Sequence, residues 1–178
     1  MTRVDERRRF VTFALRGVAA ILACASAGSS LVPPAFAAPR NALPSAVDLR
    51  VDGGHVRERK LPLVLFFNRD GCPYCERALR EYLVPMQRDG AYASRAMFRQ
   101  VEIDRRTPLV DFGGNRSTHR QLAAEYKISL TPTIYFVDEH GRSLVPPIVG
   151  LPTLDFFQSY LDRAIEDSAA KLQADAAR

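Results

Sequence analysis

The 178-residue sequence contains no tryptophan and only three histidines and three cysteines. His55, His119 and His140 are scattered and read as surface residues rather than ligands, and without a well-placed histidine two thiols fill only half of a tetrahedral zinc site. Met86 and Met97 read as core fillers rather than copper ligands. Gly113-Gly114 has neither the spacing nor the following lysine of a phosphate loop. One sign of charge is in modest excess, with a net charge of +5. Five arginines against two acids fall within residues 1–37, leaving 20 basic and 18 acidic residues in the remainder. No aromatic-interleaved basic stripe is present there, and nucleic acid is not an expected partner. No internal repeat is visible, and at this length about one domain is expected.

Long apolar runs are also missing. Arg16 lies inside any 20-residue span beginning near Phe10, at a cost of roughly 2.5 to 3.5 kcal/mol near a bilayer centre. The N-terminus instead reads as an export signal. A charged region is followed by Val18 to Ala23, by Pro33-Pro34 and by Ala35-Phe36-Ala37, a small-x-small cleavage pattern that puts the cut after Ala37. Arg7-Arg8-Arg9-Phe10-Val11 resembles a twin-arginine signal. Cys24 loosely matches a lipoprotein cleavage site, which is the weaker reading because Leu22 fits poorly. Cleavage leaves no stable membrane span and removes Cys24, so the mature chain keeps Cys72 and Cys75 only. Closing so small a loop removes little unfolded-state entropy, so a redox pair explains them better than a structural staple.

Those two cysteines stand in Asp70-Gly71-Cys72-Pro73-Tyr74-Cys75-Glu76-Arg77. Before them Leu61 to Phe67 is a continuous apolar run expected of a buried strand; after them Cys75, Leu79, Tyr82, Leu83 and Met86 recur at helical spacing. The pair therefore sits on the first turn of a helix, where unpaired N–H groups favour an anion, and Cys72 is expected to ionise below the free-thiol value of about 8.5. Three residues make most of a turn, so the second sulfur can reach the first. Pro73 is tolerated at the first helical position, whose N–H has no intrahelical partner.

Around this centre, 38–44 is expected to be a flexible leader, 45–168 the folded domain and 169–178 a fraying tail. Residues 45–60 carry conflicting strand and helix signals. The helix from Pro73 to about Arg88 has a possible bend at Pro85. Met97 to Asp104 reads as a strand, and Arg105 to Arg116 as an exposed loop long enough to suspect a role in partner selection. Thr118 to Gln121 matches a capping box opening a helix through Tyr126. Thr133 to Val137 and Leu144 to Val149 read as an antiparallel hairpin turned by Asp138 to Gly141. A last helix follows from Thr153, with Phe157, Tyr160, Leu161, Ala164 and Ile165 on one face. These elements predict an α/β fold with a central mixed sheet, helices on both faces, and a C-terminal hairpin and helix.

Strand, Cys-Pro-Tyr-Cys at a helix start, Thr131-Pro132-Thr133 ahead of a hairpin and a closing helix together resemble the thioredoxin superfamily over about Leu61 to Ile165. Exported thioredoxin-related proteins, including the type associated with bacterial sulfur oxidation, are similar. The resemblance implies a thioredoxin-like fold, with Cys72 as attacking nucleophile, Cys75 as buried resolving cysteine and Pro132 as a cis-proline. Thr131 would pair with an extended substrate, and Tyr74 would contact a partner. Two departures stand out. Gly71 takes the place of the family's tryptophan, and Phe66, six residues before Cys72, takes the place of its buried aspartate.

The implied activity is thiol–disulfide exchange, most simply an exported enzyme reducing disulfides of periplasmic partner proteins. It would be a monomer, use no cofactor or metal, and be recharged by an unidentified membrane or soluble electron donor. A disulfide oxidase or isomerase, or a metallochaperone holding Cu(I) or zinc on Cys72 and Cys75, are the alternatives.

Overall fold

The computed structural model describes residues 42–151 and 154–176. The export-signal reading of 1–37, with Cys24, lies outside the described residues. A continuous apolar run needs apolar neighbours on both faces, and β1 (Leu63–Asn68) has them. The sheet order is β2-β1-β5-β6. β2 (Met97–Glu102) pairs with β1 in parallel, and β5 (Thr133–Val137) pairs with it antiparallel, in register Leu65 with Arg99 and Tyr135. Alternation then divides β1 between two cores. Val64 and Phe66 pack with Cys75, Leu83, Ile134, Phe136, Phe157 and Leu161. Leu63, Leu65 and Phe67 pack with Leu49, Val56, Val101, Leu122 and Val137. The expected mixed sheet with helices on both faces is therefore present.

The conflicting stretch 45–60 contains both readings in turn. Ser45 and Asp48 form parallel bridges to Gln100 and Val110. Asp48 then caps α1 (Leu49–Arg59) by accepting the Val51 N–H at 3.0 Å. Two glycines inside a helix each cost about 1 kcal/mol against alanine, and tertiary contacts offset this. A Cβ on Gly53 would collide with the Glu139 carbonyl, and buried Asp52 takes two hydrogen bonds from Arg99, at 2.9 and 2.6 Å. Of the expected leader 38–44, residues 42–44 are among those described. Leu43 is 3% exposed and its N–H donates to Gln100 Oε1, so packing begins there rather than at Ser45.

After Cys72 the helix is interrupted rather than bent. α2 (Pro73–Ala78) passes into a π-helical turn (Leu79–Leu83) and then α3 (Val84–Arg88). Pro85 has no N–H for the carbonyl four residues back, and Val84 N–H reaches Leu79 O instead, which widens the turn. α4 (Gly90–Ala93) follows.

Residues 105–116 are not an open loop. β3 (Pro108–Val110) and β4 (Arg116–Thr118) form a second, two-stranded sheet turned at Asp111 to Asn115, with Leu109 buried. The Asp111 carboxylate accepts the Asn115 N–H at 2.8 Å, and these turn N–H groups hold it below the usual carboxylate range. Thr118 caps α5 (His119–Glu125) as expected, with its hydroxyl accepting the Gln121 N–H. His119, expected at the surface, is fully buried. Its Nδ1 accepts the Glu102 N–H at 3.0 Å, and its Nε2 lies 2.9 Å from the Ala46 carbonyl oxygen.

The closing hairpin is shorter than 144–149. Pro146 and Pro147 cannot donate to a ladder, leaving β6 (Ile148–Val149), which pairs with Thr133 and Ile134. α6 (Leu154–Ala176) buries Phe157, Leu161 and Ile165 but leaves Tyr160 exposed. It does not fray at 169, since Leu172 is buried against the second core. Among the described residues no helix is long and apolar enough to cross a membrane.

Candidate active site

The site forms where β1 ends. Gly71 adopts φ +64°, a left-handed turn that suits glycine, and delivers the chain into α2. Cys72 is the N-cap, in extended conformation, and its sulfur accepts the Cys75 N–H at 3.2 Å. The two cysteines are joined as a disulfide across a Cα separation of 5.2 Å. Their environments differ: Cys72 is half-buried at the surface, whereas Cys75 is 1% exposed in the core with Phe66. Tyr74 is 65% exposed beside them.

The opposite wall is the segment before β5. The Thr131–Pro132 bond is cis. Thr131 brings its hydroxyl to 3.7 Å and its carbonyl to 3.8 Å from Cys72 Sγ, and Pro132 is buried behind it. Among the described residues, neither backbone group of Thr131 pairs with another backbone group. The Pro132 carbonyl accepts the Gly150 N–H at 2.7 Å, which sets Val149 at this wall. Leu130 and Val149 are exposed apolar residues, 62% and 47% accessible. Both are additions to the residues the sequence pointed to, since an apolar residue in a turn-forming stretch carries no signal of its own exposure.

Beneath the turn the chemistry is polar but not acidic toward Cys75. Phe66 is fully buried at the position where the resemblance implies a carboxylate. Asn68 lies two positions on, on the same face of β1, and its Oδ1 and that of Asp104 are buried without a hydrogen-bond partner among the described residues. Asp104 Oδ2 accepts the Asp70 N–H at 3.4 Å, and Asp70 accepts from Gly71 N–H and from Arg105 Nη2 at 3.0 Å. Thus Asp70 braces the turn, while Glu76 stays exposed. His55 and His140 lie at the surface, and among the described residues no group of three or more His, Cys, Asp or Glu side chains is placed to hold a metal.

A surface cysteine at a helix cap, disulfide-bonded to a buried one and faced by a cis-proline wall on a mixed sheet, defines a thiol–disulfide oxidoreductase. The chain belongs to the thioredoxin-like domain family, which its residues 50–165 match. No curated protein matches the sequence. Among solved structures it is similar to oxidised mitochondrial thioredoxin 3 from Saccharomyces cerevisiae, at 16% identity over 72% of this chain and 97% of that one, with a TM-score of 0.49. It is also similar to spinach chloroplast thioredoxin f, at 17% identity over 73% and 96% with a TM-score of 0.47. A thioredoxin-fold protein from Helicobacter pylori is 25% identical over 65% and 81%, with a TM-score of 0.43. The family match carries the assignment.

Proposed function

We propose that this protein is an exported reductase of disulfides in periplasmic partner proteins, working through Cys72 and Cys75. The observation that supports it most is the unequal burial of the two sulfurs, one reachable from solvent and one enclosed. In the reduced enzyme the Cys75 N–H and the helix start favour the Cys72 thiolate. That thiolate attacks one sulfur of the substrate disulfide. A Cys72–substrate disulfide forms, and the other substrate sulfur leaves as a thiolate and takes up a proton. Cys75 then loses its proton and attacks Cys72 Sγ. The mixed disulfide breaks, the second substrate thiol leaves, and the enzyme disulfide re-forms. Two electrons pass to the substrate, and an external dithiol must return them.

Thr131 and Tyr74 hold the substrate in this scheme. The N–H and C=O of Thr131, paired with no other backbone group among the described residues, face a substrate strand laid beside Cys72, in the manner of strand addition to a sheet edge. Pro132 keeps that backbone turned toward the sulfur. Phe66 packs with Cys75 in place of the implied carboxylate, so solvent hydroxide or buffer base takes the Cys75 proton and the second attack quickens with pH.

Export is read from residues 1–37, and secretion to an oxidising compartment fits a chain whose remaining cysteines are this one pair. The test uses the protein lacking residues 1–37. It should reduce a small protein disulfide when supplied with a dithiol, and Cys72→Ser should abolish turnover; full activity in that variant would sink the reading. Equilibration against glutathione buffers sets the direction. A potential near −270 mV supports a reductase, and one near −120 mV an oxidase.

A further inference from the structure

The two sides of the redox turn differ in charge. On the side of Tyr74, Leu130 and Val149 the exposed surface is apolar. On the other side four exposed arginines converge from three chain segments: Arg69 before the turn, Arg105 and Arg106 after β2, and Arg120 in the first turn of α5. Hydrogen bonds tie Arg105 and Arg120 to the turn, and Arg69 and Arg106 adjoin Asp70 and Arg105 in the chain. Arg105 bonds Asp70, two residues from Cys72. Arg120 donates to the Asp104 carbonyl at 2.9 Å, its own N–H donates to the Arg105 carbonyl at 3.1 Å, and Asp104 in turn accepts from Asp70.

The acids of this cluster are already occupied. Both Asp70 oxygens are used, by Gly71 N–H and Arg105, and Asp104 turns one oxygen to the Asp70 N–H with the other buried. Glu76 is the remaining exposed acid on the first turn of α2. Among the described residues Arg69 and Arg106 have no ion-pair partner. Arg69 stands three residues before Cys72, and Arg106 adjoins Arg105, which bonds Asp70.

We propose that this arginine rim selects polypeptide substrates whose disulfide is flanked by aspartate or glutamate. The inference rests on the reductase reading and names the chemistry of its substrate. Guanidinium groups bind carboxylates through paired N–H donors and speed encounter with an acidic surface. A polypeptide fits better than a small acid because the four arginines come from separate segments on the β2 side of the turn, while the Thr131 edge on the β5 side takes an extended chain. Uneven charge also sets direction, with acidic residues toward Arg69 and Arg106 and apolar ones toward Leu130 and Val149.

The test compares three synthetic peptides of equal length, each with one disulfide flanked by acidic, neutral or lysine residues, together with a small uncharged disulfide. Reduction by the protein lacking residues 1–37 is followed as kcat/KM at low and high salt. The acidic peptide should exceed the lysine peptide by about tenfold at low ionic strength, and the gap should close above roughly 0.5 M salt. Arg69→Glu with Arg106→Glu should invert the acidic-to-lysine ratio, whereas Arg69→Lys with Arg106→Lys should keep its sense. The ratio cancels any common loss of activity or folded fraction. Equal rates for the three peptides, or an unchanged ratio in the double glutamate variant, overturn the proposal while reduction of the uncharged disulfide keeps the reductase reading standing. Failure to reduce even the uncharged disulfide overturns both.

Discussion

The described residues contain two hairpins, and they are held by different forces. The β5–β6 hairpin is part of the main sheet. β5 is paired on both edges, and Ile134, Phe136 and Val137 are fully buried. The β3–β4 hairpin has three residue pairs, one buried side chain in Leu109, and a turn held by the Asp111 carboxylate. The first hairpin holds the Thr131–Pro132 wall against the sulfur, so its geometry is fixed by the core. The second follows the segment that carries Arg105 and Arg106, and polar bonds suffice there. Chemistry and partner selection are thus built on separate supports.

The largest effect should come from the core hairpin. Ile134→Ala should cost roughly 2 to 5 kcal/mol, read by denaturant unfolding, and should lower disulfide reduction with it. Leu109→Ala should cost about 2 kcal/mol, at the low end of that range, because the small sheet can close over the gap. It should leave reduction of a small disulfide near normal at room temperature. Equal losses in both assays for the two variants would break the distinction.

The hairpins also touch. Gly141, at φ +78° in the β5–β6 turn, lies so close to the Phe112 ring of the other hairpin that a Cβ would collide with it. Its carbonyl accepts the Tyr126 hydroxyl at 2.6 Å. Burial, with Asp138 nearby, keeps that phenol protonated well above the usual range. Gly141→Ala should cost about 1 to 2 kcal/mol from strained backbone and displaced ring, and amide shifts in NMR spectra should spread into both hairpins. Shifts confined to residues 138–142 would show that they are uncoupled.

The smallest effect concerns pH. Asp111 has a lowered folded-state pKa because its carboxylate accepts the Asn115 N–H. The unfolded chain holds the proton more tightly, so this contribution is fully present above the unfolded carboxylate value of about 4. It is lost as pH falls through the lower folded value. Asp111→Asn should therefore lie below the parent protein in stability at pH 7 and meet it in acid. Hydrogen exchange of residues 108–118 measures the gap, and a constant offset at all pH values would remove Asp111 from the account.

Much of the site was legible because its signals are local. An apolar run, two cysteines three apart and a proline at the first helical position specify strand, cap and thiol pair without reference to distant residues. Thr131-Pro132 was legible only through family resemblance, since cis and trans proline look alike in sequence. Residues 105–116 could be suspected of a partner role, but the gathering of arginines around them was not legible. Arg69, Arg105 and Arg120 are separated by up to about fifty residues, and only the parallel pairing of β1 with β2 brings them together.

The parts left open or misjudged share a cause. α1 contains Gly53-Gly54 and looks unlike a helix until Glu139 is seen to fill the space a Cβ would need. Residues 105–116 looked like a loop because three-residue strands are too short to show alternation. His119 looked like a surface residue because its burial depends on a backbone N–H from β2 and a carbonyl from the N-terminal segment. By itself, then, the sequence determined the class of chemistry: a thiol pair at a helix start, with no tryptophan beside it and no carboxylate six residues before. Tertiary structure alone decided which sulfur faces solvent, what wall opposes it and where the charges gather. Those are matters of burial and of contacts between distant segments, set by how the sheet is ordered rather than by any one stretch of chain.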